Sequence, residues 1–226
     1  GARVEALLIS DVTGDLPSDI ASGPCAPDYS TYQDALDIFS KYQLGEGSIP
    51  ETVLQHLRRG VAGEIPETLK ETDLRNAQVR NHVIATAYKS LEAAAAYIRT
   101  QGYEPVILGD TITGEAQDVG VDQATLAREY SLGSQATKLP LALISGGECT
   151  VTLPKGIQGR GGRCSEFLLA LFNATDGMNN ISALAADTDG IDGSEKNAGA
   201  WFTPLVRKLS QEQVLLPKKY LLEHDC

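Results

Sequence analysis

The stretch Leu141 to Thr150 constrains this chain more than any other. Its first four residues, Leu141-Ala142-Leu143-Ile144, form a short apolar run of the kind that makes a buried strand. Gly146-Gly147 follow, where a backbone can turn tightly and let a ligand come close. A second glycine loop, Gly159-Arg160-Gly161-Gly162-Arg163-Cys164-Ser165-Glu166, then runs into Phe167 to Phe172, which reads as helix. A glycine-rich loop opening a helix presents N–H groups without intrahelical partners and the positive end of the dipole, so it suits an anion. Arginine adds a planar, permanently charged donor fork that fits carboxylate or phosphate. The residues indicate an anion site, phosphate first. The alternative stays open that the glycines are plain turns and that Arg160 and Arg163 are solvated charges. The spacing is neither the Gly-x-Gly-x-x-Gly fingerprint nor a P-loop, since Gly162 stands where lysine should follow Gly161.

Composition sets the limits around that centre. The 226 residues are 42% hydrophobic and 22% charged, ordinary for a soluble globular protein of one large or two small domains. The net charge of -11 disfavours nucleic acid and anionic membranes as partners. It leaves small anionic substrates open, because local arginines act within a Debye length of roughly 8 Å. No apolar run approaches the ~20 residues that span a bilayer, and the N-terminus has no signal-peptide pattern. Cys25, Cys149, Cys164 and Cys226 are irregularly spaced with no Cys-x-x-Cys, which points to reduced thiols in the cytoplasm. Cys164 sits beside Arg163 at a helix start, but a passive thiol is the preferred reading.

Along the chain, strand patterns alternate with helix patterns, which defines an α/β protein. Val4 to Ile9 reads as a strand ending in Ser10-Asp11-Val12-Thr13-Gly14-Asp15. Asp11 and Asp15 either hold Mg²⁺ through water or make Asx turns. Pro17 to Pro27 is a stiff loop, Ser30 or Thr31 caps a helix ending near Gly45, and Glu51 to Arg58 is a short helix. Val83, Ala87, Leu91, Ala94 and Ile98 follow helical steps, so one helix is expected from Asn76 to Thr100. A domain break is expected just after it, dividing the chain into residues 1–101 and 102–226.

Pro105 to Leu108 is the next strand, with Gly109-Asp110-Thr111 at its tip and a helix from about Ala116 to Tyr130. Thr150 to Leu153 is expected to pair back as an antiparallel strand. Ile181 to Ala186 is a further strand that delivers Asp187-Thr188-Asp189-Gly190-Ile191-Asp192-Gly193. The cluster is no calcium loop, because Ala198 holds the place where that loop needs glutamate. A turn presenting Asp189 to a cleft fits better. Residues 197–226 are expected as short helices or loops, and His56, His82 and His224 form no ligand pattern. The strand tips together suggest a ligand cleft at the carboxyl ends of the sheet.

Five motifs occur here in the order found in one family: Ile9-Ser10-Asp11-Val12-x-Gly14-Asp15, Ile20-Ala21-Ser22-Gly23-Pro24, Leu143-x-Ser145-Gly146-Gly147-Glu148, Gly161-Gly162-Arg163-x-x-Glu166 and Thr188-Asp189-Gly190-Ile191-Asp192-Gly193. The chain resembles the glycerate 2-kinases of the MOFRL type, which include bacterial tartrate-degradation proteins once labelled hydroxypyruvate reductases. The resemblance implies two Rossmann-like α/β domains with the active site between them, and transfer of phosphate from ATP, with Mg²⁺, to the 2-hydroxyl of D-glycerate. It further implies catalytic roles for Arg163 and Asp189, nucleotide contacts at Ser145, Gly146, Gly147, Gly161 and Gly162, and substrate contacts at Ser10, Asp11, Glu148 and Glu166. Asp15 and Asp192 are the implied metal ligands, and a homodimer is one assembly it admits. Cys164-Ser165 depart from the family's Asn-Gln, and Leu16 stands where a second aspartate is usual.

Members of that family are longer at both ends, so the chain resembles an internal fragment, expected to have little kinase activity alone. Two other functions compete. A nicotinamide-dependent hydroxypyruvate reductase is disfavoured, since no strand is followed by Gly-x-Gly-x-x-Gly and an acidic residue. A non-catalytic anion-binding piece is the third.

Overall fold

The computed structural model describes residues 2–44, 47–75, 77–132, 140–157 and 159–226. It is an α/β fold in two compact units, Gly1–Thr86 and Ala87–Cys226.

The first unit is built on two parallel strands, β1 (Arg3–Ile9) and β2 (Gln78–Ala85), with Arg3 opposite Gln78 and Leu8 opposite Val83. Between them lie a 3-10 turn (Ile20–Ser22) and helices α1 (Tyr32–Lys41), α2 (Glu51–Val61) and α3 (Glu71–Leu74). Thr31 and Asp34 close a reciprocal cap at the start of α1, where the Thr31 N–H donates to Asp34 Oδ2 at 2.7 Å. The expected end of this helix near Gly45 lies outside the described residues. The helix expected from Asn76 is corrected. Residues 78–85 are a strand whose half-buried positions, Val79, Asn81, Val83 and Ala85, recur every second residue. Val83 fits both a helical face and a strand face, and pairing with β1 decides between them.

The second unit holds α4 (Ala87–Thr100), β3 (Glu104–Glu115), α5 (Ala116–Leu132), β4 (Leu141–Thr150), α6 (Arg163–Ala174), β5 (Ala183–Ala186), β6 (Gly199–Phe202), α7 (Pro204–Glu212) and α8 (Pro217–Leu222). Helix α4 packs on β3 and β4, so it groups with the elements that follow it rather than with those before. Strands β3 and β4 run parallel from Glu104 opposite Leu141 to Glu115 opposite Thr150. Two expected turns are therefore interior to strands: Gly109-Asp110-Thr111 lies within β3 and Gly146-Gly147 within β4. The reason is visible at Gly147, with φ +155°, where a Cβ would stand 1.9 Å from the Ile112 carbonyl oxygen. Glycine is required there because the neighbouring strand passes so close, not because the chain turns. The antiparallel return over Thr150 to Leu153 is also absent: β4 ends at Thr150, and residues 151–154 are not strand.

Strand β5 instead pairs antiparallel with β6, Ala183 opposite Phe202 and Ala186 opposite Gly199. Beneath this ribbon Ala124, Leu168, Leu171 and Phe202 form the core, flanked by Phe167 and Phe172. Phe172 and Phe202 meet edge to face with centroids 5.1 Å apart. The strongly apolar inner face of α6 is thus what fixes its amino-terminal end, and with it Arg163, beside the carboxyl end of β5.

Candidate functional site

Helix α6 starts at Arg163, and its first turn is capped from a distant segment. The Cys164 N–H donates to Asp192 Oδ1 at 2.9 Å and the Ser165 N–H to Asp192 Oδ2 at 2.8 Å. Asp192 is fully buried. A Cβ on Gly162 would stand 2.3 Å from that carboxylate, so the glycine is what lets Asp192 reach the helix end. Three further loop amides are also engaged: Gly162 N–H on Ser165 Oγ at 3.0 Å, Gly161 N–H on Ser194 Oγ at 3.4 Å, and Arg160 N–H on Asp225 Oδ1 at 3.2 Å. The helix terminus does bind an anion, and the anion is the chain's own carboxylate. Asp192, expected as a metal ligand, is a helix cap with both oxygens on backbone N–H groups. Gly161 and Gly162, expected to cradle phosphate, pack against protein instead.

Arg163 itself faces a different way. Its Nε and Nη2 donate to Asp187 Oδ2 at 2.9 and 2.7 Å, and its Nη1 pairs with Glu148 Oε1. The other Asp187 oxygen accepts the Asp189 N–H at 3.1 Å. The two carboxylates differ in environment: the Asp187 side chain is 8% exposed and that of Glu148 is 57% exposed. Burial pushes the Asp187 carboxyl up, but the Asp189 N–H and Arg163 outweigh it and hold it below the usual range. Asp187, followed by Glu148 and against the pull of burial, keeps Arg163 protonated beyond its ordinary value. One edge of the guanidinium is therefore locked on a buried anchor. The other edge rests on an exposed carboxylate whose pairing is worth only ~0–1 kcal/mol, so an incoming anion can exchange with it.

Of the residues singled out in the sequence, Glu148, Arg163 and the Asp189 backbone come together here, at the carboxyl half of β4, the start of α6 and the turn after β5. The Asp189 side chain is exposed on that turn. Ser145 and Gly146 lie within β4, and Ser145 Oγ accepts from Gln123 Nε2 at 2.8 Å. Glu166, expected at substrate, is 3% exposed and pairs with Gln117 Nε2 at 2.8 Å and His224 Nδ1 at 2.9 Å. That pair is internal packing chemistry, which also accounts for His224. Ser10, Asp11 and Asp15 lie in the first unit. Ser10 is buried with Oγ on its own turn, accepting the Val12 N–H at 3.3 Å, while Asp11 is exposed and Asp15 has φ +54°. Among the described residues no three His, Cys, Asp or Glu side chains stand together as a metal site. Burial, then Asp192 and Asp187, push the Cys164 thiol up to about 12, which makes it a passive thiol.

Asp187 is the site residue that sequence reasoning passed over. Its available signal was position: it is the first acidic residue past the apolar strand, ahead of the more conspicuous Asp189.

The fold is α/β, and its second unit carries this arginine–carboxylate site at the start of α6. Residues 141–226 match the MOFRL family, and residues 1–58 match a domain of unknown function, DUF4147. Across 99% of its length the chain is 42% identical to an Agrobacterium vitis protein that carries the provisional name hydroxypyruvate reductase, covering 55% of that protein. It is 38% identical over 97% of its length to a glycerate 2-kinase from Pyrococcus horikoshii, covering 48% of it. The crystal structure of a glycerate kinase from Thermotoga maritima superposes with a TM-score of 0.79 at 31% identity, over 97% of this chain and 49% of that one. The chain thus spans about half the length of these relatives. No helix among the described residues is long and apolar enough to cross a membrane.

Proposed function

We propose that the natural polypeptide carrying these residues is a glycerate 2-kinase, transferring the terminal phosphoryl group of ATP to the 2-hydroxyl of D-glycerate. The observation that supports this most is Arg163, held on Asp187 by two N–H groups while its third contact is the exposed Glu148. In phosphoryl transfer the protein contributes positioning and charge neutralisation, and a preorganised guanidinium does both. In this reading the substrate anion, either the transferring phosphoryl group or the glycerate carboxylate, takes the place of Glu148 on Nη1. Asp187 keeps the guanidinium from following the substrate and shapes the turn that bears Asp189. Asp192 is committed to the helix cap and would not be a ligand to the Mg²⁺ that the reaction would use to neutralise charge on the nucleotide phosphates.

The likeness to a hydroxypyruvate reductase by name has a weaker chemical basis. Gly146-Gly147 continue a strand rather than opening a dinucleotide-binding turn. One assay separates the two. ADP release from MgATP that depends on D-glycerate supports the kinase. NADH oxidation with hydroxypyruvate and no ADP release would reverse the assignment.

A further inference from the structure

Residues 223–226, which follow α8, lie against the glycine loop that opens α6. The contact runs both ways along the backbone. The Cys226 N–H donates to the Arg160 carbonyl at 2.8 Å, and the Arg160 N–H donates to Asp225 Oδ1 at 3.2 Å. The loop glycines are shaped for it. A Cβ on Gly159 would stand 2.0 Å from the His224 carbonyl oxygen, and one on Gly161 would stand 2.6 Å from that of Cys226. Both positions need glycine so that this segment can come close. A buried carboxylate then ties the segment to the helix. Glu166 is 3% exposed and lies in the first turn of α6, which begins at Arg163. His224 Nδ1 lies 2.9 Å from its Oε2, and Gln117 Nε2 donates to its Oε1 at 2.8 Å. Gln117 also reaches the Leu221 carbonyl at 3.4 Å, so α5, α6 and the end of α8 meet at one carboxylate.

A buried carboxylate is stable only where its donors are, so Glu166 fixes the first turn of α6 against His224 and Gln117. We propose that residues 223–226 are a clasp and that His224 is a positioning residue. Through Glu166 and the glycine loop it holds the start of α6 in place, so that the Arg163 guanidinium meets an incoming anion already oriented. The part given to Arg163 rests on the kinase reading; the clasp does not.

The test pairs thiol labelling with turnover in the natural polypeptide. His224→Leu strands the Glu166 carboxylate, whereas His224→Asn keeps an N–H donor near the place of Nδ1. Under native conditions His224→Leu is expected to label Cys164, the residue after Arg163, about tenfold faster than the wild type, and His224→Asn within about threefold of it. In ADP release with D-glycerate and MgATP, His224→Leu is expected to lower kcat/KM about tenfold or more. In an Arg163→Ala background the same change is expected to cost less than about twofold, because it acts through Arg163. Loss of folded protein would instead lower both backgrounds alike. Should His224→Leu fail to fold, Asp225→Ala, at a side chain 39% exposed, carries the same expectations at about threefold. Unchanged Cys164 labelling, His224→Asn as impaired as His224→Leu, or equal losses with and without Arg163 would overturn the proposal. A wild type that releases no ADP with D-glycerate would reverse the kinase reading alone, and the labelling then decides the clasp.

Discussion

Replacing Asp192 by alanine tests how the start of α6 is built. Asp192 accepts two N–H groups of the first turn, at 2.9 and 2.8 Å, from a fully buried position. Loss of a capping side chain costs about 1 kcal/mol, and a partly buried charge at a helix end is worth up to about 2 kcal/mol. Stranding a buried N–H costs about 1–3 kcal/mol, so the two bonds together set the scale. These figures overlap, because they describe the same two bonds, and about 3 kcal/mol is the expected loss for Asp192→Ala. Asp192→Asn keeps one acceptor but turns an NH₂ toward a donor, and about half that loss is expected. Trp201 is the chain's one tryptophan and lies in β6, so its fluorescence in a urea titration follows the second unit. Phosphate gives a second readout. It should stabilise Asp192→Ala, whose amides are vacated, more than the wild type, in which an anion has only the Arg163 edge to bind. A shift below about 0.5 kcal/mol in Asp192→Ala, or equal stabilisation of both proteins by phosphate, would refute the cap.

Three further outcomes follow from the same structure. The Asp187 carboxyl is held below its ordinary value, so its contribution is complete above the unfolded value of about 3.9 and is lost as pH falls through the folded one. Urea midpoints of the wild type should therefore drop more steeply below about pH 4 than those of Asp187→Asn. Gly147→Ala should destabilise the second unit by about 3 kcal/mol or more, since the new Cβ meets the Ile112 carbonyl, and thermal unfolding followed at Trp201 checks this. Cys164, pushed up to about 12 by burial, should resist a thiol reagent at mildly alkaline pH and react only in denaturant, which peptide mapping of the labelled protein will show.

Much of the architecture was legible because local signals and tertiary context agree. The strand at Arg3–Ile9, the Thr31 cap, α2, the apolar face of α6 and the strand ending at Ala186 all lie where periodicity and capping residues put them. The failures are places where a distant segment decides. Residues 78–85 are a strand because β1 lies beside them. Gly146-Gly147 marks close approach of β3, and glycine alone cannot distinguish close approach from a turn. The anion at the start of α6 was legible as a chemical need of the helix. Its source was not, because Cys164 and Asp192 are 28 residues apart and only folding joins them. The same holds for Asp187, whose role is written in its contact with Arg163 rather than in its neighbours.

The direct measurement of the central claim is the turnover of Arg163→Ala in the natural polypeptide, with D-glycerate and MgATP, followed by ADP release. Loss of a preorganised charge at the transferring group predicts a fall in kcat/KM of about a hundredfold or more, with Arg163→Lys restoring little because it lacks the two-pronged grip on Asp187. Turnover of the alanine variant within about twofold of the wild type would mean that this guanidinium holds the fold and not the substrate.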